Sequence, residues 1–290
     1  MPHITQIGPK LSGVLYHYTS QATLFNIVST KSIWASHVSY MNDANEIRYA
    51  AQRALNIVNA IATDNIERSK LLNQLKNWLS QYLNPTHFIF SFSLSESGNL
   101  LSQWRAYTPE EAGVSIGFNE DELKLHANKY NFQLVKCIYH PQEQDQLLSN
   151  FISKLLHDFD ANHYEIHKSL DGAPGQEYYK FLNGYAQGFL YEFAKIKDPL
   201  FSEEREWRLL SKYYNTYAHA DIKFRASKTT LIPYVEFNLK DIRNDGRLFE
   251  QIYVGPSSNF NLSFNAVGAF IGNQNACAMT INSQQSIRKI

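Results

Sequence analysis

Three short polar segments lie beside apolar residues, where a polar side chain needs a partner. The first is Tyr16-His17-Tyr18-Thr19-Ser20. Read as a strand, it puts His17 and Thr19 on one face, Tyr16 and Tyr18 on the other, and lets Ser20 open a helix. His17 is a candidate for ligand binding, and the plainer alternative is a buried histidine that satisfies a backbone carbonyl. The second is Ser91-Phe92-Ser93, followed by Gln103-Trp104-Arg105-Ala106-Tyr107. Hydroxyls at a strand end can bond a ligand, and a Trp-Arg pair can stack on a ring or clamp an anion. The alternative is a helix that packs Trp104 inward and leaves Arg105 in water. The third runs from Ser202 to Leu210 and contains Glu204, Arg205, Glu206, Trp207 and Arg208. In an extended chain Glu204, Glu206 and Arg208 point one way, so two carboxylates converge. Such a pair suits stabilisation of a developing cation or acceptance of a proton from a sugar hydroxyl. Its alternative is a solvated strand face laced by an ion pair.

The elements that must position these groups follow from periodicity. Val14 to Tyr18 reads as a strand, and Leu24, Ile27 and Val28 recur at helical spacing after Ser20. Ile33 to Ser36 is a second extended piece. Asn42 or Asp43 can cap a helix carrying Ile47, Ala51, Ala54, Leu55 and Val58. A further helix from about Ile66 presents Leu72, Leu75, Leu79 and Tyr82, and Asn84-Pro85 ends it. His87 to Ser93 alternates strictly, with Phe88, Phe90 and Phe92 on one face. Val114 to Phe118 and Phe132 to Tyr139 read as strands, and Leu147 to Phe159 and Tyr178 to Ile196 as helices separated by Gly172, Pro174 and Gly175. From Phe201 the pattern turns to strands at 204–210, 222–226, 231–239 and 248–254, so the C-terminal third reads as mostly sheet. These elements predict a single α+β domain over 1–290, a mixed sheet core with a helical layer supplied by insertions at about 44–83 and 143–196.

Composition narrows the function classes. Lys plus Arg and Asp plus Glu are equal at 27, so no global field draws in nucleic acid or an anionic membrane. Cys137 and Cys277 are the two cysteines, with no C-x-x-C and no histidine at ligand spacing, which suits a reducing cytoplasm and argues against a metal or disulfide framework. No stretch approaches membrane-spanning length and the N-terminal residues do not read as a signal peptide. The 18 tyrosines and 18 phenylalanines fit either a bulky core or a pocket for flat ligands. The phosphate-binding, dinucleotide-binding, zinc-hydrolase and nucleophile-elbow motifs do not occur.

Together, Leu15 to Thr19, Tyr40-Met41-Asn42-Asp43 with Glu46, Phe90 to Ser93, Gln103 to Tyr107, Glu204 to Arg208 and Gly255-Pro256 resemble the bacterial DUF2971 family over most of the chain. More distantly, the order of His17, Ser91 or Ser93, and Glu206 resembles the ADP-ribosyltransferase superfamily. That resemblance implies a sheet core of the ADP-ribosyltransferase type and NAD as substrate. It implies that His17 bonds the adenosine ribose, that Tyr18 and Thr19 beside it are cofactor-binding, and that Glu206 holds the nicotinamide ribose. Glu204 resembles the first member of a paired-glutamate variant and would help activate the acceptor. Tyr40 or Tyr107 would supply a stacking ring, and Arg105, beside Trp104, or Arg208 would meet the pyrophosphate. The acceptor is left open, and a toxin or phage-defence role is consistent with the chemistry. Two alternatives stand beside it: a non-catalytic nucleotide-binding or protein-interaction module, and an enzyme like those that remove RNA 2′-phosphates.

Overall fold

The computed structural model describes residues 13–41, 45–80, 88–108, 112–162, 175–214, 216–277 and 279–283. The chain is an α+β protein with an open, mostly antiparallel sheet. Its strands are β1 (Val14–Ser20), β2 (Ser32–His37), β3 (Phe90–Ser95), β4 (Gly113–Asn119), β5 (Phe132–Lys136), β6 (Glu206–Ser211), β7 (Lys223–Ala226), β8 (Leu231–Asn238), β9 (Gln251–Val254) and β10 (Thr280–Asn282). The main path runs β10-β9-β4-β1-β3-β2-β8-β7, with β6 on β3 and β5 on β6. The β9–β10 pair is parallel.

Helix α1 (Gln21–Thr30) follows β1 directly, and Ser20 caps it, its Oγ accepting from Thr23 N at 3.1 Å. That turn lets β1 run into a helix that buries Leu24, Ile27 and Val28. α2 (Glu46–Ala60) starts after Asn45, which makes no side-chain cap. Asn42 and Asp43, expected as its cap, lie outside the described residues, as do Tyr82, Asn84, Pro85, Gly172 and Pro174.

The alternation across the sheet divides the interior. Phe90, Phe92 and Leu94 of β3 and Ile33 and Ala35 of β2 enter a large core with Leu209, Val235 and Phe237. A second core is built mainly from helices. α2 and α3 (Ile66–Ser80) pack on α6 (Pro141–Ala161) and the helices Tyr179–Asn183 and Ala186–Phe193, burying Leu75, Trp78, Leu155 and Phe189 completely or nearly so. At roughly 1.5–3 kcal/mol for each such side chain, this layer carries its own apolar driving force. The two helical insertions, far apart in sequence, thus meet in one layer.

Several elements depart from the sequence expectation. Glu204 closes a 3-10 turn, Pro199–Glu204, instead of beginning β6. Arg205 adopts φ 44° and ψ 52°, the left-handed region, and the strand starts one residue later. α5 (Glu120–Lys129) was not expected, although Asn119 caps it by accepting from Asp121 N and Glu122 N at 3.1 Å. The C-terminal third also holds a 14-residue helix, Phe260–Asn273. Its asparagines, glycines and phenylalanines mask the period, and it buries Val267 and Ile271 alone.

Candidate functional site

The site begins with a gap in the sheet. β6 pairs with β3 along Ser91 to Ser95. On the other edge of β3, β2 pairs at Phe90 and Ser91, whereas β1 pairs at Ser95. β1 and β2 therefore sit at opposite ends of one edge, joined by α1, and leave the stretch between them unpaired. Polar backbone left open in this way needs other partners. His17 supplies one: its Nδ1–H donates to the Ser93 carbonyl at 2.9 Å. The imidazole also packs on Phe92 at 4.0 Å between centroids.

That bond is the carbonyl contact foreseen as the plain role for a buried histidine, and it fixes the tautomer. With the proton on Nδ1, Nε2 is left as an acceptor. Burial lowers the imidazole to about 4, against the pull of the Ser93 bond, so the ring is neutral at physiological pH.

A cavity of about 530 Å³ occupies the gap, and its wall includes His17, Ser91, Ser93, Glu206 and Arg208. Tyr18, Thr19, Tyr40 and Tyr107 also reach it. Its floor is the polar face of the sheet. Cross-strand partners share a face, so the pairing of Ser36 with Ser91, and of Ser93 with Arg208, carries small hydroxyls across to charged β6. The volume falls in the range of small-molecule sites, roughly 300–1,000 Å³.

One end of the wall is a buried ionic cluster drawn from four segments. Lys197 is 1% exposed, and its Nζ meets Glu46 Oε1 at 3.1 Å, Glu204 Oε2 at 2.9 Å and Glu206 Oε2 at 2.7 Å. Arg208 binds Glu206 through Nε and Nη2, both at 3.0 Å, donates Nη1 to the Ala194 carbonyl at 3.0 Å and pairs with Glu46. Glu206 N donates to Tyr139 Oη at 2.8 Å. The left-handed turn at Arg205 swings Glu204 back onto Lys197, so Glu204 and Glu206 converge through a lysine and not by strand alternation. The Glu204 carbonyl accepts from Ser95 Oγ at 2.7 Å, which anchors the turn.

Among the described residues the cluster sets three carboxylates, Glu46, Glu204 and Glu206, around two cations, Lys197 and Arg208. Burial would raise the Glu206 carboxyl, but Arg208 and Lys197 outweigh it and hold the group at about 2. At Glu46 the balance goes the other way, with burial prevailing over Arg208 and Lys197 to raise the carboxyl. Lys197 is pushed up because Glu206 and Glu46 overcome its desolvation. The two acids that share Arg208 are driven apart, a pattern common to sites that move protons.

Three of the sequence-predicted residues stand away from the cavity: Trp104, Arg105 and Glu204, the last lining a small neighbouring pocket of about 40 Å³ with His17 and Glu206. Trp104 is fully buried among Val14, Tyr16 and Tyr18. Its Nε1 donates to Asn99 Oδ1 at 2.9 Å, and its ring closes over Gly255, where an added Cβ would come within 2.7 Å of Cζ3. Arg105, on the same short helix α4 (Leu101–Tyr107), is exposed. Tyr18 touches the cavity, but its hydroxyl is engaged, donating to Ser97 O at 2.7 Å and accepting from Leu100 N at 2.8 Å. Arg208 lines the cavity with four of its five guanidinium N–H groups bonded to carboxylates and a carbonyl.

Sequence reasoning passed over Lys197, Trp34, Ser36 and Arg225. The last three line the cavity. Lys197 follows a helical run in Ala194-Lys195-Ile196-Lys197-Asp198, where nothing separates a buried lysine from a solvated one. The alternation Ser32-Ile33-Trp34-Ala35-Ser36 was a usable signal for the other face, since Ile33 and Ala35 are the core residues.

The fold and site therefore define an α+β protein built around a polar cavity in a split, mostly antiparallel sheet. Residues 103–209 match the model of a family described as a protein of unknown function (DUF2971). The matched stretch runs from α4 through β6, a narrower span than the resemblance read from the sequence, and it takes in Tyr107, Lys197, Glu204, Glu206 and Arg208. No curated protein and no solved structure matches the chain. Among the described residues no helix is long and apolar enough to cross a membrane, and no group of three His, Cys, Asp or Glu is arranged to hold a metal ion.

Proposed function

We propose that this chain binds NAD in the cavity and transfers its ADP-ribose unit to an acceptor. The observation that carries the reading is that His17 and Glu206, far apart in sequence, line one cavity of about 530 Å³. A neutral imidazole with a free Nε2 is an acceptor for a ribose hydroxyl. Breaking the bond between nicotinamide and ribose sends the electron pair out with nicotinamide and leaves positive charge on the sugar. The Glu206 carboxylate, held on that wall, stabilises the charge as it develops. Glu204, the most exposed of the three acids at 17%, lines the small pocket beside the cavity with His17 and Glu206, and from there is the member to take a proton from an incoming nucleophile.

The test is to incubate the pure protein with NAD labelled on the adenylate, together with cell extract. The expected result is nicotinamide release with label passed to an acceptor. Wild-type protein that releases no nicotinamide under these conditions overturns the reading.

A second reading, a nucleotide-binding module without turnover, is favoured by the state of Glu206, whose two oxygens are already bonded to Arg208 and Lys197. Under it, Glu206→Gln retains nucleotide affinity and biological effect, whereas an enzyme loses turnover. An enzyme of the RNA 2′-phosphate type calls for more guanidinium groups facing the ligand, and one of the two arginines in the wall, Arg208, is committed to Glu46, Glu206 and the Ala194 carbonyl.

A further inference from the structure

We infer that the end of the cavity formed by β2, β3 and β7 is a subsite for a phosphate group of the ligand, built from Arg225, Ser36 and Ser91. This rests on the nucleotide reading of the cavity but on no transfer step. Arg225 lies on β7 beside β8, which pairs with β2. Its Nη2 donates to Ser36 Oγ at 3.2 Å, and its Nε is buried without a partner. Among the described residues no carboxylate lies within ion-pair distance of it. The neighbouring cation, Lys223, is taken by Glu236 at 2.8 Å. Arg208, by contrast, is surrounded by acids. Arg225 is thus a guanidinium on the cavity wall whose charge is unmet, and its planar fork suits phosphate oxygens.

Ser91 is the independent sign. It is 2% exposed, its Oγ has no hydrogen-bond partner, and it lines the cavity directly across from Ser36. Buried hydroxyls are nearly always bonded, and this one, buried at the cavity wall, is a donor without an acceptor. A phosphate oxygen placed between Arg225 and the two serines satisfies all of them.

The position also sets the spacing. Ser91 and Ser95 are four residues apart on β3, and Ser95 pairs with Glu206. At about 3.3 Å per residue the two ends of the cavity stand about 13 Å apart. The end that carries Arg225 and the end that carries the acids therefore do not compete for the same group. A ligand that carries phosphate at one end and a sugar at the other can span them.

The test is calorimetric titration of the whole chain with ADP-ribose, ADP and inorganic pyrophosphate, with adenosine as the uncharged control. Arg225→Ala is expected to weaken each phosphorylated probe by about tenfold or more, a charge-assisted contact being worth at least that. Any adenosine binding stays within about twofold, as a purely electrostatic contact requires. Arg225→Lys should restore part of the loss. Ser91→Ala should weaken ADP-ribose while leaving Tm unchanged or higher, because it removes an unpartnered buried hydroxyl. The inference is overturned if Arg225→Ala binds the phosphorylated probes as tightly as wild type, if none of them binds wild type, or if Ser91→Ala lowers Tm and leaves affinity intact. Nicotinamide release, measured in parallel, separates the two proposals. Arg225-dependent binding without release removes the transferase and keeps the subsite; release without Arg225 dependence does the reverse.

Discussion

Glu206 and Arg208, two residues apart on β6, grip each other through paired hydrogen bonds of 3.0 Å, Nε to Oε1 and Nη2 to Oε2. Alternation along a strand places them on one face, and the guanidinium fork matches the carboxylate. Lys197 then closes on Glu206 from outside the sheet at 2.7 Å. The acid at the centre of the site is thus held in one orientation by two cations, and it belongs as much to the stability of the fold as to any chemistry.

Lys197 should matter to stability more than Glu206. Lys197→Met strips three carboxylates of a buried cation, and breaking such a buried arrangement costs about 3–5 kcal/mol. Glu206→Gln leaves, among the described residues, two carboxylates for two cations and should cost less. Urea unfolding of both variants checks this, and a larger loss in Glu206→Gln contradicts the charge count.

His17 should give the fold a pH dependence on the acid side of neutrality. Its folded value, about 4, lies below the ordinary 6.5, so between these limits the unfolded chain binds the extra proton. Stability is then complete above about pH 6.5 and declines as the pH falls toward 4, by up to about 3 kcal/mol. Glu206, lowered from 4.5 to about 2, adds a second loss as the pH falls through that lower window. Thermal unfolding from pH 8 to pH 4 should show a slope that His17→Gln flattens between pH 6.5 and 4.

On the transferase reading, the two late glutamates divide the work. Glu206→Gln should lower nicotinamide release by about 100-fold or more, the scale set by removing a preorganised electrostatic partner. Glu204→Gln should reduce transfer to the acceptor while NAD hydrolysis by water persists. Counting released nicotinamide against label on the acceptor separates these outcomes, and equal losses in both products for Glu204→Gln speak against an acceptor role.

Gly255 should resist enlargement. A Cβ there meets the Trp104 ring at 2.7 and 2.9 Å and the Gly113 carbonyl at 3.1 Å, in a spot where Trp104 is fully buried. Gly255→Ala is expected to cost about 1–3 kcal/mol by overpacking. A Tm equal to wild type shows instead that Trp104 can shift.

The sequence by itself determined the α+β class, the alternating Phe and Ser faces of β3, the Ser20 cap, the two helical insertions and the segments that carry His17, Ser91, Ser93, Glu204, Glu206 and Arg208. These are local matters, decided by period, capping and side-chain alternation within a few residues. Tertiary structure alone decided that β1 and β2 attach to opposite ends of one edge of β3, which opens the cavity. It also decided that a lysine outside every regular element enters the core among three acids, and that of the chain's arginines Arg208 is neutralised while Arg225 is not. Charge partners, burial and strand neighbours are set by contacts between residues distant in the chain, and no spacing along it records them.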